Sequence, residues 1–253
     1  MKSKELQLTR EGIQLKAWLF FPEKESRALS PLVIFCHGIP GSKPDPKDRG
    51  YLDLAEDLSR AGFCSVFFNF RGCGQSGGNI DMEGWYRDMD AVLFKVSNMP
   101  GIDPGSIHII GFSAGGAIAS KVISIEKNVQ SLLLMATPCD FSDILPEDPF
   151  TLKHHFIQLG LIRDSFFPHD IDRWYQGFLD LNPKQYLPFI APRHVGIVHG
   201  DKDEVVPVAH ARQLYDSAYK PKKLIILEGA NHQLRKDNRI HALIRDWLAE
   251  VAW

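Results

Sequence analysis

The pentapeptide Gly-Phe-Ser-Ala-Gly at positions 111–115 constrains the fold of this chain more than any other segment. The apolar run before it, 107–110, predicts a buried strand, and the stretch rich in Ala, Ile and Val after it, 114–125, predicts a helix. A serine on a tight strand-to-helix turn has a strained backbone, so its hydroxyl projects clear of both elements. Glycines two positions away on either side let neighbouring backbones approach closely. The segment therefore predicts a nucleophile elbow with Ser113 at its tip, and the positive end of the following helix would point at the reacting atom.

A histidine downstream of Ser113 would supply the general base that a serine hydroxyl needs at neutral pH. Among the ten histidines, His232 stands out because it lies in a loop of small residues that follows an apolar strand at 223–227. Loops that follow parallel strands emerge at the same edge of a sheet. We therefore expect His232 at the edge where Ser113 lies.

Three aspartates are candidates for the acid that orients this histidine. Asp203 lies in a Gly-x-x-Asp-x-x-Val-Pro pattern after an apolar strand at 194–199, and it is our first choice. Asp201 lies two residues nearer the strand and could instead brace the loop. Asp140 follows an apolar strand at 131–136, from which a carboxylate can also reach the histidine. The choice depends on geometry that the sequence alone does not contain.

A loop after an earlier strand offers donors for the oxygen of a tetrahedral intermediate. The apolar strand at 31–36 is followed by the sequence His-Gly-Ile-Pro-Gly at 37–41, whose glycines let the loop fold over the nucleophile. Pro40 has no N–H to donate, which favours the N–H of Ile39 as one donor. The N–H of Ala114, directly after the nucleophile, would be the second donor.

Taken together, these motifs resemble those of the α/β-hydrolases, and in particular those of the bacterial serine esterases that include the cinnamoyl and feruloyl esterases. The resemblance extends over nearly the whole chain and rests on five segments, namely 37–38, 70–76, 111–115, 200–207 and 229–232. It implies Ser113 as nucleophile, Asp203 as acid and His232 as base. It also implies that the N–H groups of Ile39 and Ala114 donate to the oxyanion.

Two positions depart from the pattern of that family. Asn69 stands where an aspartate is common before the Arg-Gly-x-Gly loop, so we do not expect the salt bridge that the family makes there. Ile39 stands where esterases of aromatic acids often carry phenylalanine, which weakens an assignment to that substrate class.

Predicted strands alternate with predicted helices along the chain, which indicates an α/β fold with a mostly parallel sheet and helices on both faces. The segment 139–192, between a sixth and a seventh parallel-type strand, is too long for an ordinary loop and has helical periodicity of its own. We interpret it as a helical cap inserted into a catalytic domain formed by 1–138 and 193–253. The fold predicted is therefore that of an α/β-hydrolase with a cap over its active site.

The cap holds ten of the 27 aromatic residues, and those on its helical faces are candidates to bind the apolar part of a substrate. The candidates we select are Phe156, Trp174, Tyr175 and Phe178. The alternative is that these side chains only pack the cap against the main domain. The cap also has eight acidic and four basic residues, which disfavours strongly anionic substrates.

The remaining features exclude several classes of function. The formal net charge is −2, with 29 Lys and Arg against 31 Asp and Glu, so nothing indicates a nucleic-acid surface. The basic N-terminus leads directly into a strand-like segment and no apolar run approaches the ~18 residues of a membrane span, so we expect neither a signal peptide nor a membrane-spanning segment. Four scattered cysteines are typical of reduced thiols in the cytoplasm. Histidines of the cap are the remaining metal candidates (His154, His155 and His169), but adjacent histidines on a helix point in different directions, and we expect no metal site.

We therefore predict a cytoplasmic serine hydrolase that needs no cofactor and cleaves carboxylic esters, with an uncharged substrate that has an apolar or aromatic part. A peptidase, an acyltransferase or a thioesterase could use the same triad. A non-catalytic binding module on the same fold is the alternative from a different class, but we expect such a protein to have lost Ser113 or His232. The oligomeric state stays open, and a homodimer is among the options.

Overall fold

An eight-stranded sheet forms the centre of the molecule in the computed structural model, which describes residues 2–23, 29–42, 45 and 47–251. Its strands, in chain order, are β1 (Ser3–Arg10), β2 (Ile13–Phe20), β3 (Ser30–Cys36), β4 (Cys64–Phe68), β5 (Ile102–Phe112), β6 (Ser131–Met135), β7 (His194–Gly200) and β8 (Lys222–Leu227). They lie in the order β1-β2-β4-β3-β5-β6-β7-β8 across the sheet. Strand β2 is antiparallel to both of its neighbours, and the other pairs are parallel. This confirms the predicted mostly parallel sheet.

Helices connect the strands at most of the crossovers. They are α1 (Leu52–Arg60), α2 (Met82–Ser97), α3 (Ala114–Ile125), α4 (Pro149–Gln158), α5 (Ile171–Leu179), α6 (Pro183–Tyr186), α7 (Ala209–Ser217) and α8 (Arg239–Val251). Two short 3-10 helices add Leu187–Phe189 and Leu234–Lys236. Within the described ranges, none of the helices combines the length and the apolar character needed to span a bilayer.

The two faces of the sheet bury separate apolar clusters. Strand β3 shows the division: Leu32 and Ile34 belong to the larger cluster, whereas Val33 and Phe35 belong to the smaller one. Successive side chains of a strand point to opposite faces, so each cluster lies on one face. Helices α2, α3 and α7 contribute to the larger cluster, and α1 and α8 contribute to the smaller one. The prediction of helices on both faces is confirmed, and burial on both faces explains why the central strands are continuously apolar.

The segment between β6 and β7 contains α4, α5 and α6, in agreement with the predicted helical insertion. Side-chain caps start its two longer helices: Asp148 accepts from the N–H groups of Phe150 and Thr151, and Asp170 accepts from the N–H of Arg173. Such caps satisfy N–H groups that have no partner inside a helix. We refer to residues 139–192 as the cap segment, and its separation as a domain from 1–138 and 193–253 stays a prediction.

Candidate active site

Ser113 lies on a strained turn between β5 and α3. Its φ of 50° and ψ of −128° put a non-glycine residue in the positive-φ region that side chains disfavour. The turn is held because Ser113 N–H donates to Met135 O at 2.8 Å and Ser113 O accepts from Gly116 N–H at 2.9 Å. Hydrogen bonds from two neighbouring elements thus maintain a conformation that the residue would not adopt alone, and such strain is typical of functional sites.

Two glycines let the loop after β3 pass directly over this turn. A Cβ atom at Gly38 would lie 2.8 Å from Ser113 Cβ, and a Cβ atom at Gly115 would lie 2.3 Å from His37 O. Both distances are far below van der Waals contact, so neither position has room for a side chain. The loop at 37–41 and the elbow are therefore in contact, as the sequence predicts.

The structure brings Ser113, His232 and Asp203 together. Ser113 Oγ lies 3.1 Å from His232 Nε2, and His232 Nδ1 lies 2.8 Å from Asp203 Oδ2. The Asp203 carboxylate is completely buried, whereas His232 keeps 19% of its side-chain surface exposed. Each residue follows a different strand of the sheet (β5, β8 and β7), so the parallel order carries all three to one edge. These distances fit a nucleophile, a base and a group that orients the base.

The Asp203 carboxylate is surrounded by hydrogen-bond donors. Its Oδ1 accepts from the N–H groups of Val205 and Val206 at 2.9 and 2.8 Å, and His199 Nε2 lies 3.2 Å from Oδ2. Burial alone would raise the pKa of Asp203, but the contacts with His199, His232 and the Val206 N–H outweigh it and hold the pKa well below its usual range. The carboxylate is therefore ionised, and His199 is a neighbour that the sequence analysis did not identify.

The two alternative aspartates are engaged elsewhere. Asp201 Oδ1 accepts from the N–H of Gly229 at 2.7 Å, so this residue braces the loop that follows β7 against the loop that follows β8. Asp140 accepts from Lys184 Nζ at 2.6 Å and from Ser142 Oγ at 2.7 Å. Burial opposes ionisation of Asp140, but the hydrogen bond from Lys184 outweighs it and lowers the pKa to about 2. The geometry thus favours Asp203 as the partner of the histidine.

His37 fixes the loop that carries the predicted oxyanion donor Ile39. His37 Nε2 accepts from Phe70 N–H at 3.1 Å and Nδ1 donates to Gly38 O at 2.7 Å. Desolvation lowers the pKa of His37 to about 4, which keeps the ring in the neutral form that this pair of hydrogen bonds requires. Ile39 is half-buried, and the second predicted donor, Ala114, begins α3, where N–H groups have no partner inside the helix. Their role as oxyanion donors stays a prediction.

The four aromatic residues selected in the cap segment lie in contacts within the protein. Phe156, Trp174 and Phe178 are 2, 6 and 0% exposed, and their rings contact one another with centroids 5.2 to 6.0 Å apart. Trp174 Nε1 donates to Ile80 O, and Tyr175 Oη donates to Pro146 O, both at 2.9 Å. This placement favours the alternative in which these residues pack the cap segment against the main core.

The cap histidines raised as metal candidates are exposed. In the portions of the chain that the structure covers, no group of three or more His, Cys, Asp or Glu side chains is arranged to hold a metal ion.

Arg71, in the loop after β4, obtains its charge partner from α2. Asn69, at the position where an aspartate is common in the family, accepts through Oδ1 from Gln75 N–H at 3.2 Å and so makes a neutral contact within the loop. Arg71 Nη2 lies 2.7 Å from Asp88 Oδ1, with Arg71 5% exposed and Asp88 completely buried. Glu11 adds a second partner at 3.1 Å. Asp88 was not predicted as this partner, and its signal in the sequence is a carboxylate inside an otherwise apolar helix face.

Comparison with known proteins agrees with this architecture. The model of the alpha/beta hydrolase fold family matches residues 31–189, which is more than half of the chain. The uncharacterized protein YfhR of Escherichia coli (strain K12) is 24% identical over 230 residues, covering 88% of this chain and 70% of that protein. The lysophosphatidylserine lipase ABHD12 of Danio rerio is 26% identical over 242 residues, covering 85% of this chain and 58% of that protein.

Among solved structures, Est1E from Butyrivibrio proteoclasticus with ferulic acid bound superposes with a TM-score of 0.75 at 22% identity, covering 97% of this chain and 98% of that one. The shared fold thus extends over nearly the whole chain. Since the family model matches more than half of the chain, including strands β3 to β6 and the elbow, the chain belongs to the family of hydrolases with the α/β-hydrolase fold.

Proposed function

We propose that the protein is a serine hydrolase that cleaves carboxylic esters through an acyl-enzyme intermediate. The observation that carries the proposal is the series of hydrogen bonds from Ser113 Oγ through the His232 ring to Asp203 Oδ2, at 3.1 and 2.8 Å. A serine at the tip of a strained elbow, a partly exposed imidazole and a buried carboxylate are the three groups that acyl transfer to a serine requires.

The state of Asp203 sets the direction of proton transfer. Because the carboxylate is ionised and can only accept, the hydrogen between it and His232 belongs to His232 Nδ1. The other nitrogen, Nε2, then carries a lone pair that faces Ser113 Oγ. This tautomer is the one that can take the serine proton.

The reaction follows from these positions. As Ser113 Oγ attacks the ester carbonyl carbon, His232 Nε2 takes its proton, and the N–H groups of Ile39 and Ala114 would donate to the carbonyl oxygen as it becomes negative. The bond between the carbonyl carbon and the alcohol oxygen breaks, and His232 returns the proton to the leaving alcohol. A water molecule then attacks the acyl-enzyme in the same way and releases the acid and Ser113.

Two of the comparisons support an ester as the substrate class. Est1E holds ferulic acid, a carboxylic acid, and ABHD12 is named as a lysophosphatidylserine lipase. The excess of acidic residues in the cap segment supports an uncharged substrate. Peptidase, acyltransferase and thioesterase activities would use the same groups, and a substrate panel separates them from ester hydrolysis.

Labelling with a fluorophosphonate, followed by peptide mapping, tests the nucleophile. We expect one modified residue, Ser113, and we expect Ser113→Ala to fold normally but neither react nor hydrolyse p-nitrophenyl acetate. Ser165, an exposed serine of the cap segment, provides a matched control, because Ser165→Ala should keep both activities. Labelling at another residue, or turnover by Ser113→Ala, would refute the mechanism. Faster turnover of anilides or thioesters than of the matched esters would refute the substrate class.

A further inference from the structure

His199 is a buried histidine that the reaction described above does not use. It is the sixth residue of β7, next to Gly200, and its side chain is completely buried. Its Nε2 lies 2.8 Å from Val206 O and 3.2 Å from Asp203 Oδ2. Its Nδ1 is buried and has no hydrogen-bond partner among the residues that the structure describes.

These contacts determine where the ring carries its hydrogen. A carbonyl oxygen and an ionised carboxylate can only accept, so Nε2 carries a hydrogen. The Nε2–H group donates to Val206 O, and its partly positive hydrogen also lies beside Asp203 Oδ2. His199 therefore donates through Nε2 toward both the backbone of the loop and the carboxylate.

Besides the direct contact between them, His199 and Asp203 are connected through the backbone of Val206. Its C=O accepts from His199, and its N–H donates to Asp203 Oδ1 at 2.8 Å. The contacts thus form a closed ring that includes the carboxylate and joins His199, Val206 and Asp203. Within this ring Oδ1 accepts from the backbone, which leaves Oδ2 directed at His232 Nδ1 at 2.8 Å.

We propose that His199 is a positioning residue for hydrolysis: by holding the turn at Val206 and the carboxylate of Asp203, it keeps Oδ2 aligned with the Nδ1–H of His232. This inference rests on the proposed function. A buried imidazole with an unpartnered nitrogen stabilises a fold less than an apolar side chain of similar volume would. Its benefit must therefore lie in the contacts of Nε2.

Because the donor is Nε2, two amide variants that differ in the reach of their N–H groups can test the proposal. In His199→Gln the amide nitrogen reaches about as far as Nε2, so it can donate to Val206 O. In His199→Asn the amide is shorter and reaches only the position of Nδ1. Both variants are polar and uncharged, so a difference between them reports the reach of the donor and not the polarity of the site. His199→Leu removes the donor at similar volume.

We expect His199→Asn and His199→Leu to lower kcat on the order of 10- to 100-fold, with KM unchanged because a buried residue touches no substrate. This is less than the ~10⁴-fold loss known when the aspartate of a serine-protease triad is altered. His199→Gln should keep most of kcat. As a control, His108→Leu removes another buried histidine of the same sheet, which is bound to Ser131 Oγ at 2.9 Å, and it should leave kcat unchanged.

The low-field proton resonance of the His232 Nδ1–H tests the alignment without turnover. Its assignment is made by its loss in His232→Gln. We expect it to shift or broaden in His199→Asn and in His199→Leu, and to stay in place in His199→Gln and His108→Leu. If the wild type hydrolyses no ester, the proposed function fails, while the resonance still decides on His199. An unchanged resonance in His199→Asn, or equal kcat for the Asn and Gln variants, would overturn the positioning role.

Discussion

Trp174 provides the clearest test of what the aromatic residues of the cap segment do. It is 6% exposed, and a buried aromatic side chain removes about 150–250 Å² from water. Substitutions of this kind to alanine cost about 3–5 kcal/mol, and Trp174→Ala also leaves Ile80 O without its donor, a further ~1 kcal/mol. For a chain of this size, a loss of about 5 kcal/mol lowers Tm by roughly 10–20 °C.

If Trp174 anchors the cap segment, its loss should reduce the activity toward all esters by the same factor. The assay is thermal unfolding together with kcat/KM for p-nitrophenyl acetate and for longer acyl esters. Phe166 is a matched control, because it is an aromatic residue of the same segment that is 79% exposed, and Phe166→Ala should change stability by less than about 0.5 kcal/mol. An unchanged Tm in Trp174→Ala, with losses confined to the longer esters, would refute anchoring and restore the substrate-binding interpretation.

Three further predictions concern the elbow, the acid and the response to pH. Gly38→Ala puts a Cβ atom 2.8 Å from the Cβ of the elbow serine and should lower kcat by about 100-fold or more, whereas Gly41→Ala, which meets open space, should retain wild-type kcat. Asp203→Asn should lower kcat by ~10⁴-fold and Asp201→Asn by less than about 10-fold, and the reverse order would show that the acid is misassigned. Burial lowers the pKa of His108 from 6.5 to about 4, so between these pH values the unfolded chain binds one more proton than the folded one. Acidification over this window should therefore destabilise the fold by roughly 3 kcal/mol through His108 alone, and urea titrations at each pH should show a flatter dependence for His108→Gln.

The arrangement of the site around Ser113 could be predicted because its determinants are local in sequence. The strand, the glycines and the helix of the elbow are contiguous, and the positions of His232 and Asp203 follow from the rule that parallel strands end at one edge of the sheet. The choice between Asp203 and Asp201 needed the structure, since two carboxylates in one loop differ only in the direction of their side chains.

Two buried polar residues could not be predicted because the sequence does not show which groups their side chains face. His199 lies at the end of an apolar strand, and Asp88 lies among the core residues of a helix. In neither case does the sequence show whether the polar side chain is buried or points to solvent. A buried charge is tolerated only when a partner compensates it, and the partner of Asp88 is Arg71, 17 positions away on another element. A single sequence contains no record of such pairs.

The helices of the cap segment could be predicted from the sequence, but the role of their aromatic side chains could not. The same periodic stripe of aromatic residues results whether a helix face covers a core or lines a pocket, and only the neighbouring surface distinguishes the two. Here that surface includes the loop after β4: Ile80 O accepts from Trp174 at 2.9 Å, and Arg163 donates to the carbonyl oxygens of Ser76 and Gly72 at 2.7 and 3.1 Å. A movement of the cap segment away from this loop would break these bonds and expose the buried rings.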